Sequence, residues 1–140
     1  MILLAATKEK LSNGTFKHIE GELYFFHETK KDLKLRKENI LLGQGSPKNE
    51  QQVKDPTGEK AAALLVDRRI AHMEKVVSEI ESVYQSLPKE KKRLVKLLYW
   101  THPQELTWDG IAKRLHISKR QAQRWRRSIV EAIAERLGWR

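Results

Sequence analysis

TWDGIAKRLHISKRQAQRWRRSIVEAIAERLGW, residues 107–139, is the stretch on which the reading of this chain turns. Thr107 can cap a short helix, and Asp109 sits in its first turn, where a carboxylate complements the helix dipole. Trp108, Ile111, Ala112 and Leu115 share one face, and Ala112 is small enough to let a second helix cross closely. His116 and Ile117 make a turn, with Ile117 directed into the core. The turn position of His116 commonly needs positive φ and is most often glycine, and histidine tolerates that conformation better than most residues. Ser118 then caps a longer helix whose inner stripe is Ala122, Trp125, Ile129, Ile133 and Leu137, at spacings of three and four. Helix, tight turn and helix make a helix-turn-helix.

Choosing the inner stripe also chooses the outer face. At about 100° per residue, Arg120, Arg124, Arg127 and Glu131 point away from the stripe, with Gln121 and Gln123 on its flanks. Trp125 is read as core, not as a stacking platform. Within SKRQAQRWRR, residues 118–127, five of ten residues are basic. A bare basic run is ordinarily a solvated face, but this one occupies the first turns of the second helix, where a recognition helix meets base edges. Arginine suits guanine O6/N7 and glutamine suits adenine N6/N7, because both offer paired groups at the right pitch. The residues expected on DNA are Thr107, Lys113, Ser118, Lys119, Arg120, Gln121, Gln123, Arg124 and Arg127. Lys91, Lys92, Arg93, Lys113 and Arg114 lie off the reading face and are candidates for phosphates.

Upstream, KEKKRLVKLLYW (89–100) reads as a further helix burying Leu94, Leu97 and Leu98, followed by a connector carrying Pro103. Residues 88–140 thus form a three-helix DNA-binding domain, expected to bind duplex DNA alone but more weakly than the full chain. Ahead of it, Val66, Ile70, Met73, Val77, Ile80, Tyr84 and Leu87 alternate steps of four and three through a helix at 59–86. Three heptads are near the minimum for a coiled coil, so the seam fits either an intramolecular hairpin or, with slight preference, a homodimer through 59–87. GQGSPKNEQQVKDPTG, residues 43–58, reads as a flexible linker. The first helix is expected to start at Thr15 as N-cap and run to about Leu42, with Phe16, Ile19, Leu23, Phe26, Leu33 and Ile40 on one face and Gly43 as its stop. The fold class is all-α: long N-terminal helices, as hairpin or coiled coil, joined to a C-terminal helix-turn-helix.

Charge supports the same division. The chain of 140 residues carries a formal net charge of +10. Residues 1–87 hold 14 Lys+Arg against 13 Asp+Glu, whereas residues 88–140 hold 14 against 5. A field packed into the last 53 residues attracts polyanions. An anionic membrane would need an exposed apolar helix face, and the apolar residues are used in a core. With no cysteine there is neither a disulfide framework nor a thiolate metal site. No apolar run approaches the roughly 18 residues of a membrane span, and MILLAATKEK does not fit a secretory signal. The expectation is an intracellular, cytoplasmic protein without membrane partners. His18, His27, His72 and His102 have no metal-ligand spacing, and no Ser/His/Asp set or glycine phosphate loop is present. Nothing points to an enzyme, a metal or a cofactor.

LPKEKKRLVKLLYW and LTWDGIAKRLHISKRQAQRWRRSIVEAIAERLGW, with the early FKHIEGELYFFHETKKDLKLRKENIL and the DPTGEKAAALLVD stretch, resemble the phage late-transcription activators of the RinA type. More distantly the C-terminal part is similar to the helix-turn-helix of bacterial sigma factors. The resemblance implies a phage-encoded activator of late genes for packaging and morphogenesis, working on double-stranded DNA with host RNA polymerase in the bacterial cytoplasm. Matched position by position, it places Lys119, Arg120, Gln123 and Arg124 on the DNA. Two other readings compete. One is a phage small terminase subunit, which would recognise packaging DNA as a large ring. The other is an interaction module in which the two long helices bind a partner and the basic segment is incidental.

Overall fold

Ser12 opens the first helix, in a computed structural model that describes residues 10–41 and 56–140, with side chains for 10–39 and 68–140. Its hydroxyl accepts the main-chain N–H of Thr15 at 3.1 Å, so the cap lies three residues before the expected Thr15. Helix α1 spans Asn13–Tyr24 and ends at Phe25, which caps it with φ −94° and ψ 12°. Helix α2, Phe26–Leu41, follows at once. The single helix expected over 15–42 is therefore two. Beyond it come α3 (Pro56–Ser86), α4 (Lys89–Leu98), α5 (Trp108–Leu115) and α6 (Lys119–Leu137). All regular structure among the described residues is helical, and the protein is all-α. No described helix is long and apolar enough to cross a membrane. Most of the expected linker lies outside the described residues, and its last three residues, 56–58, open α3.

The division into units differs from the boundary expected at residue 88. One unit joins 10–25 to 79–140, and the other is 26–78. In the first, α1 packs against α6, which also packs against α5, while α4 packs against both α5 and α6. Its core is Ile19 and Leu23 of α1, Ile80 and Val83 of α3, Leu94, Val95 and Tyr99, Ile111, and Ile129, Val130 and Ile133 of α6. Leu94 is buried as expected, but Val95 and Tyr99 fill the core where Leu97 and Leu98 were expected, and those two leucines are only half-buried. In the second unit, Phe26, Leu33, Ile70, Val76 and Val77 are buried, and Lys37 of α2 pairs with Glu74 of α3 at 2.7 Å.

This burial bears on the heptad seam. Ile70, Val77 and Ile80 are already covered within one chain, and Tyr84 stacks against Trp100 with ring centroids 4.8 Å apart. Met73 and Leu87 of the same seam are half-buried, so the seam is partly covered within one chain. Val66 lies outside the described side chains.

The turn between α5 and α6 has the expected left-handed residue, while Ile117, expected in the core, is half-buried. His116 adopts φ 57° and ψ 41°, the left-handed conformation. Its N–H donates to Lys113 O at 3.2 Å, and that of Ile117 donates to Ala112 O at 3.1 Å. The pair of bonds is a Schellman C-cap with histidine where glycine is usual. Gly138 repeats the arrangement after α6 at φ 72°, with Trp139 N–H donating to Ala134 O at 2.9 Å.

Candidate nucleic-acid interface

Two hydroxyls set up the basic face. Thr107 accepts the N–H of Gly110 at 3.2 Å and starts α5, and Ser118 accepts the N–H of Gln121 at 3.0 Å and starts α6. Both hydroxyls are thus engaged in capping, although both residues are exposed. Ala122 is 0% exposed and pins the first turn of α6 to the core. Lys119, Arg120, Gln123, Arg124 and Arg127 are left exposed on α6, as is Lys113 on α5, while Gln121 is half-buried. Of the phosphate candidates, Arg93 and Arg114 are exposed. Lys91 and Lys92 are half-buried, with their ammonium groups over the rings of Trp125 at 5.9 Å and Tyr84 at 5.5 Å.

The buried side of α6 also contains Val130 and Ala134, which turns its inner face away from Trp125. Trp125 is half-buried, not the core residue expected. Arg126 takes the inward place instead, being four residues from Ala122 and three and four from Ile129 and Val130. It meets Glu20 of α1 in a bidentate pair, Nε to Oε2 at 2.8 Å and Nη2 to Oε1 at 3.0 Å. Tyr99 donates its hydroxyl to the same Oε2 at 2.6 Å. The Arg126 guanidinium also lies 4.9 Å from the Phe16 ring and 5.5 Å from that of Trp108. One of the five basic residues in the run is therefore structural. The sequence signal was available but faint: a basic residue on the α6 core side, and one carboxylate beside the Phe16–Ile19–Leu23 stripe.

Burial, then the Glu20 hydrogen bond, then the Glu20 charge hold the Tyr99 phenol far above its ordinary range, against a smaller opposing pull from Arg126. The Glu20 hydrogen bond likewise raises Arg126. A phenol held protonated in the fold stabilises it fully below the unfolded value near 10, and that contribution is lost as pH rises beyond it. The expected result is a loss of roughly 1.4 kcal/mol per pH unit above about pH 10, read as a falling urea midpoint. Tyr99→Phe should start lower and show a flatter alkaline decline. An equal decline in the two proteins would place the sensitivity elsewhere.

Because α1 packs on α6, the exposed arginines do not face open solvent alone. Phe16 and Lys17 of α1 and Arg120, Gln123, Arg124 and Arg127 of α6 line a groove between the two helices. Helices α5 and α6, a left-handed turn and a cationic first three turns define an all-α protein with an exposed basic helix face. More narrowly, the chain belongs to the family described as "Protein of unknown function (DUF722)", whose model matches residues 24–135. That span begins at the last residue of α1 and includes Lys119, Arg120, Gln123, Arg124 and Arg127 of α6. No curated protein and no solved structure matches the chain.

Proposed function

We propose that the protein is a sequence-specific DNA-binding transcription regulator in which α5 and α6 act as the helix-turn-helix and α6 enters the major groove. One observation carries this reading. Lys119, Arg120, Gln123, Arg124 and Arg127 are exposed together at the start of a helix whose other side is buried, with no acidic residue among positions 119–127. Arginine and glutamine at these positions supply paired donors and acceptors for base edges, and Lys113, Arg114 and Arg93 supply charge for phosphates. The resemblance in sequence adds late phage genes as targets and host RNA polymerase as partner. Since Ile70, Val77 and Ile80 are buried within one chain, the reading requires no dimer through 59–87.

Binding to duplex DNA should fall steeply with salt. With about four to six phosphates neutralised, log K against log[salt] should have a slope of about −4 to −5. Fluorescence anisotropy on a labelled duplex measures it, and a slope shallower than about −1 would mean that the cationic face does not meet DNA. Light scattering separates the neighbouring reading: a monomer or dimer supports the regulator, and a large ring supports a small terminase subunit.

A further inference from the structure

The DNA-binding reading, on which this inference rests, uses only the α6 wall of the groove. The α1 wall carries Lys17, which is exposed and forms no ion pair among the described residues, beside Asn13 and Phe16. Across from them stand Arg120, Arg124 and Arg127. The Arg127 guanidinium lies 5.8 Å from the Phe16 ring, a cation–π distance that holds its head toward α1. Glu20 is the one carboxylate lining the groove among the described residues, and Arg126 and Tyr99 already occupy it. The remaining cations thus have no counter-charge in the groove. An open channel with cations on both walls suits a run of phosphates, which arginine grips in fork geometry and lysine as a point charge.

We propose that α1 is part of the DNA-binding surface. A phosphate strand seats in the groove between α1 and α6, held by Lys17 from one wall and Arg127 from the other, while Arg120 and Arg124 reach the bases. Lys17 and Arg127 then contribute affinity without sequence information.

The test uses the full chain and a random-sequence duplex, since the proposed contacts ignore sequence. Lys17→Ala and Arg127→Ala should each make the salt slope shallower by about one, and the double variant by about two. Lys17→Arg should keep the wild-type slope. Lys34→Ala, an exposed change on α2 in the other unit, should also leave it unchanged. Thermal unfolding of each variant checks that the fold persists. Wild-type binding whose slope is unmoved by Lys17→Ala, or moved equally by Lys34→Ala, overturns the groove assignment and leaves the α6 reading standing. Failure of the wild-type chain to bind duplex DNA would instead remove the DNA-binding reading beneath it.

Discussion

Ile19→Ala is expected to destabilise the unit formed by 10–25 and 79–140 by about 2–5 kcal/mol, the usual range for emptying a fully buried isoleucine site. Ile19 is 0% exposed and sits on the α1 face that packs against α6. Both α1 and the α6 it packs against are fixed at their starts, by Ser12 and Ser118, so the site has little freedom to collapse around the missing atoms. Leu35→Ala, at a side chain 49% exposed, should change stability by no more than about 0.5 kcal/mol. Urea denaturation followed by circular dichroism compares the two, because helices of both units contribute to the signal. A loss below about 1 kcal/mol for Ile19→Ala would mean that α1 is only loosely attached.

The same packing changes what a fragment tested for DNA binding must contain. A chain starting at residue 88 lacks Ile19, Leu23, Ile80 and Val83 and leaves Arg126 and Tyr99 without Glu20. Removing one partner of a largely buried ion pair leaves the other uncompensated, which ordinarily costs more than the pair contributes. The expectation that residues 88–140 suffice rested on where charge and motif lie, and the core does not follow that boundary.

The elements that were legible share a local cause. Thr107 and Ser118 announce helix starts because their hydroxyls accept N–H groups three residues on. His116 announces a left-handed turn because it falls where one apolar phase ends and the next begins. The all-helical class follows from apolar spacing alone. The break at Phe25 had no comparable signal, for Tyr24, Phe25 and Phe26 include neither glycine nor proline, and the apolar spacing runs through them from Leu23 to Phe26. Only the partners of the two halves distinguish them: Ile19 and Leu23 serve one unit, Phe26 and Leu33 the other. The Glu20–Arg126–Tyr99 contacts were hidden for the same reason, joining residues 106 and 79 positions apart. On α6 the error was one of phase. A stripe drawn through Trp125 misses Val130 and Ala134, and it turns Arg126 outward when it faces in.

Reading a sequence and clinging to a polyanion should separate at Arg120 and Arg124. The two lie one turn apart, both exposed, on the helix that Ser118 caps. Each should offer a guanidinium to a base edge if α6 enters the major groove. Arg120→Ala or Arg124→Ala should then cost about 1–3 kcal/mol at the true site and much less on random duplex, since only a base contact carries sequence information. Lys113→Ala, on the exposed side of α5, should weaken both by a similar factor. Selection of bound sequences from a randomised duplex pool supplies the site, and titrations on that site and on random duplex supply the ratio. Circular dichroism should be unchanged in all three variants, because none of the three side chains is buried. Equal losses on both duplexes for Arg120→Ala and Arg124→Ala would leave α6 a charged surface that holds DNA without reading it.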